Sequence, residues 1–583
     1  MSSKPDETEL LNPTVQPAPT SLLATIRRLY FYLIATVSFL VGLNGLISLL
    51  EVLSQVWLGD VGVAVNTASY VRNAVARNGG MLLVATPIFL IHWVYIQRLR
   101  TEPAEVASGI RKFALYLLSV VTLGWGASLA GELLGGAAAL LLGVPLTESE
   151  IWPSHWLFLV LGILVNGALF AYLQRQLRAD GDWGREQGWA GTWRRVFQTV
   201  VGLVGLAVFI SGAGVLMETL WRVILPGGPG EVGEYWARGR LSMGFAMLAI
   251  GGLLWRFNWL RWRQIIHDNP ADGRTALRRF YLYASVVASA IATLVPAAVL
   301  LRQLLLLLFG VDRVADVVGG GLATPLAFLP VGLALWVWHW RVIQREAASY
   351  GDSPESALVR RIYYYVVAAI GLVLTWFGLV ALLRVLLDVL SPAQASLSGQ
   401  FWAEQLANGL SLLAVGAPVW AVHWRTVQSV ARRPDAVGET ERSSWPRRLY
   451  LYAVALAGAL IILYYLTTVV YRFLLLLLGE PDIDLFGVET IDALARSAIT
   501  LVFWLVHVLA IRRDGQFGAE EMAGAREMEG MQEDGGVRAA PLPEDVSVRR
   551  VELEAKIQQL ELQLEAARAE LARLEEPDAV ITR

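Results

Sequence analysis

The chain of 583 residues contains no cysteine. That excludes disulfides, thiolate nucleophiles, iron–sulfur clusters and Cys-ligated zinc. Charge is scarce as well: Asp, Glu, Lys and Arg make up 17% of the sequence, against about 25% in soluble globular chains. The 48 basic and 50 acidic residues leave a net charge of −2, which argues against a strongly basic nucleic-acid binder. Soluble-enzyme signatures are missing too: there is no HExxH, no P-loop and no GxSxG. One GxGxxG spelling, Gly228 to Gly233, follows a hydrophobic helix instead of a strand and contains Pro229, so it reads as a turn. The N-terminal stretch lacks the basic and apolar regions of a cleavable signal peptide. Residues 1–25 are expected to form a disordered cytoplasmic tail.

What the chain has in abundance is apolar sequence: 55% of residues and a mean hydropathy of +0.51. The useful ruler is therefore the transmembrane helix of about 20 apolar residues. A basic pair followed by aromatics recurs six times. The repeats begin at Arg27-Arg28-Leu29-Tyr30, Arg111-Lys112-Phe113, Arg194-Arg195-Val196-Phe197, Arg278-Arg279-Phe280-Tyr281, Arg360-Arg361-Ile362-Tyr363 and Arg447-Arg448-Leu449-Tyr450. Successive second basic residues are 84, 83, 84, 82 and 87 positions apart, a period that marks internal duplication. Each repeat holds two apolar runs, too long for barrel strands, and open sheet edges cannot sit in lipid. The expected fold is all-α: twelve transmembrane helices in six tandem two-helix modules, at 26–108, 109–192, 193–276, 277–358, 359–445 and 446–513.

The five loops between repeats hold 24 Lys and Arg, and the loops inside repeats hold six. The positive-inside rule then places the inter-repeat loops, and with them both termini, in the cytoplasm. The Trp and Tyr beside the basic pairs are expected to form an interfacial aromatic belt. A flexible linker is expected at 514–546. Beyond it, Leu553, Ile557, Leu560, Leu564, Ala567, Leu571 and Leu574 are spaced alternately by four and three residues, the seam of a coiled coil at 547–576. Three heptads are marginal alone and would rely on the membrane part for local concentration.

The phrases RRLYFY, RRFYLY, RRLYLY and PVWAVHWR on paired hydrophobic helices resemble a bacterial integral-membrane family, domain of unknown function 5671. The resemblance covers about residues 26–513, and is clearest in repeats one and four to six. It implies a multi-pass protein of the bacterial inner membrane and carries no activity, cofactor or catalytic residue.

Two sets of residues could carry chemistry. The first is His92, His339, His423 and His507, at equivalent places near the ends of the second helices; repeat two has Leu169 there and repeat three Asn258. Four equivalent histidines could form a ring for protons or a metal, but a headgroup-level His beside Trp can equally serve packing. The second set is a charged layer 23 residues beyond the second basic residue of each repeat. It holds Glu51, Glu218, Arg302, Arg384 and, nearby, Glu132 and Arg472. Glu218 has Arg222 and Arg384 has Asp388 at i,i+4. That leaves Glu51 and Glu132 to face Arg302 and Arg472 across a closed bundle, a neutral tally. The first helix of repeat four is too long to cross a bilayer straight and offers a break at Pro296.

The functional expectation is a non-enzymatic membrane scaffold or sensor-like assembly protein without cofactor or metal. Its partners would be the lipid bilayer and a second copy, or another coiled coil, through 548–576, with no nucleic acid. The alternative is a transporter or channel that uses the charged layer.

Overall fold

The computed structural model describes residues 22–58, 67–145, 153–225, 235–311, 314, 317–390, 399–480, 487–534 and 556. Among these there are no strands, and twelve helices are long and apolar enough to cross a membrane. We number them α1 (Leu22–Leu58), α2 (Thr67–Leu99), α3 (Gly109–Leu141), α4 (Pro153–Ala179), α5 (Gly188–Ile224), α6 (Trp236–Asp268), α7 (Ala276–Leu308), α8 (Ala323–Tyr350), α9 (Pro354–Leu390), α10 (Gly399–Ala431), α11 (Trp445–Leu477) and α12 (Val488–Asp534). Helix is the only open-ended element that satisfies its own backbone in lipid, and apolar side chains on nearly every face suit that solvent. The chain divides into two compact units, Met1–His507 and Val508–Arg583.

Within the first unit, close helix pairings run from neighbour to neighbour. The two helices of a repeat pack together in α1·α2, α3·α4, α5·α6, α7·α8 and α9·α10. Each first helix also meets the hairpin that follows: α1·α4, α3·α6, α5·α8 and α7·α10, with α1·α3, α3·α5, α5·α7, α7·α9 and α9·α11. All of these join the same repeat or adjacent ones. Among the described residues these close pairings are between nearest neighbours, where a closed bundle with early repeats facing late ones was expected.

Small residues set the approach inside a hairpin. A Cβ on Gly212 would lie 2.3 Å from the Leu248 nitrogen, and one on Gly251 would lie 2.3 Å from the Phe209 nitrogen. In repeat six the contact is Gly458 against Trp504; Ala459 is exposed. Pro296 does not break α7, which is continuous through it. Pro at this position removes a bond to the Ala292 carbonyl, and Gly332 of α8 packs against that same stretch, its Cβ position 2.7 Å from the Ala292 carbonyl carbon.

The repeats alternate. The first helices of repeats one, three and five have 37 residues; those of two, four and six have 33. The extra turn lies at the start: Leu22, Gly188 and Pro354 precede their basic pairs by five or six residues, but Gly109, Ala276 and Trp445 by two. The shorter helices α3, α7 and α11 share one ending. Gly143, Gly310 and Gly479 take φ of 68°, 70° and 82°, and the next residue's N–H reaches back in a Schellman turn to Ala139, Leu306 and Leu475. Joints after odd repeats carry a short helix, at Pro103–Val106, Pro270–Arg274 (3-10) and Ala436–Ser443; joints after repeats two and four carry none.

The second unit is described as far as Asp534, by the helical residues that end α12, where a linker was expected from 514. The heptad segment 547–576 lies outside the described residues except for Lys556.

Candidate functional site

Each repeat's basic pair except that of repeat five places at least one member in the interior, while Arg360 and Arg448 stay exposed. Arg111 and Lys112 are fully buried, and Arg194, Arg278, Arg279 and Arg447 nearly so. Unpaired charge at such depth costs several kcal/mol; acids in the joints answer most of these cations, and Arg447 donates to the Tyr365 hydroxyl and the Gln428 amide oxygen. Arg28 Nε lies 2.7 Å from Glu105, Arg195 2.8 Å from Asp272 and Arg361 2.8 Å from Glu441, each acid on a short helix. At the other joints Lys112 meets Asp180 and Asp182, Arg111 meets Asp180, Arg278 meets Glu346 and Arg279 meets Asp352. Arg194 joins Glu186 at 2.7 Å and Asp272 at 2.6 Å. Tyrosines complete these clasps: Tyr116 donates to Glu186 at 2.9 Å and Tyr365 to Glu441 at 2.6 Å, while Tyr32 accepts from Arg111. The helix carrying Glu441 is capped by Asp435, which accepts from the Gly438 N–H. The Arg433 guanidinium and that N–H hold the Asp435 carboxyl below its usual range.

The aromatic belt expected beside the basic pairs is therefore partly a core. Tyr32, Tyr116, Tyr281, Tyr363, Tyr365 and Tyr450 are buried; Tyr30, Tyr452 and Trp445 remain outside. A hydroxyl that can reach a clasp or a histidine is better satisfied inside.

The four histidines share one geometry. Nδ1 of His92, His339, His423 and His507 lies 2.7–2.8 Å from the carbonyl four residues back. A carbonyl only accepts, so Nδ1 carries the proton and Nε2 is left as acceptor. Tyr450 lies 3.1 Å from Nε2 of His507 and Tyr363 3.4 Å from that of His423. Tyr30 and Tyr281 make ring contacts with His92 and His339. Each histidine thus answers the tyrosine of its own repeat's opening phrase. Repeats two and three, with Leu169 and Asn258 for histidine, have Ala114 and Phe197 for that tyrosine. The pair is present or absent together, and no group of three or more His, Asp and Glu able to hold a metal occurs among the described residues.

The charged layer is assembled from neighbours, not across a bundle. Glu218 receives Arg222, Arg240 of α6 and Thr324 of α8. Arg384 lies 3.8 Å from Asp388 and 3.4 Å from Asp492, which also takes Arg496. Arg472 pairs with Glu489 and Glu132 with His155 at 3.4 Å. Glu51 is exposed, and Arg302 bonds the Asn408 side chain at 2.6 Å. The expected pairing of Glu51 and Glu132 with Arg302 and Arg472 does not form. Each group takes what its own hairpin or the next one offers, and charges several repeats away are out of Coulombic reach.

The family Domain of unknown function (DUF5671) matches residues 28–178, 195–320, 312–369 and 361–506. The chain belongs to it. The first DUF5671 match covers repeats one and two, the last covers five and six, and the middle two together span three and four. The limits of the first and last matches each enclose two repeats, four helices, in step with the alternation of helix length and joint type. No curated protein and no solved structure matches the chain. The clasp acids escaped the sequence reading because their distance from the basic residue varies, 77 for Arg28 and Glu105 but 80 for Arg361 and Glu441. The histidine–tyrosine pairing was legible in the two exceptions, Ala114/Leu169 and Phe197/Asn258.

Proposed function

We propose that this DUF5671 chain is a non-enzymatic membrane scaffold: six two-helix modules, clasped in series, that gather subunits or a partner through the heptads at 548–576. The observation that carries this reading is the nearest-neighbour packing, with hairpins closed at Gly212, Gly251 and Gly378 against facing backbone. Four grooves among the described residues lie on single interfaces between adjacent repeats. Helices packed neighbour to neighbour, joined to a heptad segment that would oligomerise, suit display or assembly. In this reading the joints and both termini face the cytoplasm, by the Lys and Arg asymmetry, and the membrane is the bacterial inner membrane.

The test is chemical cross-linking of the full-length protein in membranes. The proposal expects cross-linked oligomers that disappear when Leu560→Asp and Leu564→Asp place charges in the seam. Unchanged cross-linking would remove the coiled coil as the assembling element.

A second reading, a transporter or channel, is favoured by one site. Asp388 is 2% exposed and its oxygens have no hydrogen-bond partner, beside Arg384 and Asp492. A buried carboxylate of this kind is where an ion path would be sought. Ion flux through reconstituted vesicles that is lost in Asp388→Asn would favour it over the scaffold.

A further inference from the structure

Two grooves occupy the same place in consecutive four-helix units, where one unit meets the next. The first, about 640 Å³, lies between α3 and the α5–α6 hairpin. The second, about 260 Å³, lies between α7 and the α9–α10 hairpin, its walls including Val295, Ala298 and Val299 of α7 and Leu412 and Val415 of α10. Val295 and Val299 are 57% and 39% exposed, so the second groove opens on the face that lipid covers.

The two differ in charge at one equivalent position. Gly135, 23 residues beyond Lys112, lines the first groove; Arg302, 23 beyond Arg279, lines the second. Arg302 stands apart from the layer's other arginines. Arg222, Arg384 and Arg472 each have a carboxylate, whereas among the described residues Arg302 has only the neutral Asn408 amide oxygen, taken by its Nε. The two terminal guanidinium nitrogens remain for a ligand, with Asn408 and Ser411 also on the groove wall. About 24 residues of helix, roughly 36 Å at 1.5 Å per residue, separate Arg302 from the buried basic pair. That puts it toward the face of the membrane opposite the inter-repeat joints, near headgroup depth. A cation without a carboxylate among the described residues, its guanidinium fork beside an apolar channel open to lipid, is complementary to a phosphate ester attached to an acyl chain.

We propose that the α7/α10 groove is a binding site for an anionic phospholipid, with the phosphate on Arg302 and one acyl chain along the groove. The Asn408 oxygen fixes the guanidinium plane, and the groove supplies apolar contact that a free anion would not use.

The experiment is native mass spectrometry of the full-length protein in mild detergent. It is titrated with dioleoyl-phosphatidylglycerol, with dioleoyl-phosphatidylcholine and with inorganic phosphate. The expected result is retention of phosphatidylglycerol at least tenfold tighter than phosphatidylcholine, and at least tenfold weaker retention in Arg302→Gln. Arg472→Gln, at a cation with its own carboxylate, leaves retention unchanged. Ala298→Trp fills the groove with Arg302 in place and also loses the lipid, which keeps the test decisive if Arg302→Gln does not fold. Equal retention in wild type and Ala298→Trp overturns the proposal. So does displacement of phosphatidylglycerol by inorganic phosphate alone, which would mark a free-anion site.

Discussion

Tyr365 donates its hydroxyl to Glu441 at 2.6 Å across 76 residues of chain, a little less than one repeat. Tyr116 and Glu186 do the same at 2.9 Å across 70. The phenol reaches out of a membrane helix to an acid that also pairs with an arginine, Arg361 for Glu441 and Arg194 for Glu186, so each clasp ties a helix start to the joint that follows.

Glu186 makes the clearest case for the strength of a clasp. Glu186→Ala leaves Arg194 with Asp272 alone and deprives Tyr116 of its acceptor. Breaking one side of a buried ion pair costs about 3–5 kcal/mol. Thermal unfolding in detergent should show a large drop in midpoint, well beyond that of Asp435→Ala at an exposed cap. A small or equal shift would mean the clasp is solvated.

The histidine–tyrosine pair should behave as a unit. His507→Leu and Tyr450→Phe each remove the same 3.1 Å bond, so the double variant should cost less than the sum by about 0.5–1.5 kcal/mol. Additive losses in a thermal double-mutant cycle would show that the rings only pack.

Gly251→Ala places a methyl 2.3 Å from the Phe209 backbone, and the backbone must part to admit it. Gly239, in the same helix, has nothing within 4 Å. Gly239→Ala should therefore be neutral or stabilising by up to about 1 kcal/mol from helix propensity, while Gly251→Ala destabilises. The two melting temperatures, measured side by side, decide whether α5 and α6 are in backbone contact.

Charges that do not meet should not couple. Arg302→Ala and Glu51→Ala are expected to add in their effects on thermal stability, within about 0.5 kcal/mol. A rescue of one by the other would restore the cross-bundle pairing that the neighbour contacts exclude.

Orientation can be read from a chain that brings no cysteine of its own. A single Cys at Ser353 or Thr440, both in joints, should resist a membrane-impermeant maleimide in intact cells and react after lysis. Labelling in intact cells would reverse the topology.

Helices were legible in this sequence because lipid demands long apolar runs, and the six basic pairs marked where each repeat begins. Less legible was what the pairs do there. Arg111 and Lys112 read as surface charge at a membrane edge, yet they are buried against Asp180 and Asp182. Nothing local in the sequence links residues 68 to 70 apart. The charged layer failed for a related reason. A tally of signs knows nothing of neighbours, and Arg240 in the same hairpin or Asp492 in the next repeat captures a partner before any distant repeat can. The alternation of repeats was hidden because it resides in one extra helical turn before the basic pair, where Trp189 and Ser356 carry no distinctive pattern.

Nearest-neighbour packing also bears on how the chain is made. Among the described residues the side-chain hydrogen bond that spans most sequence, Trp376 to Thr500, covers 124 of 583 residues. Each helix leaving the ribosome meets partners that are already in the bilayer or emerge within the next repeat, so loop-closure entropy stays low throughout synthesis. Assembly can keep pace with elongation. A nascent chain arrested after four or eight helices would already hold finished, clasped structure, and no early segment waits in lipid for a partner encoded at the far end of the message.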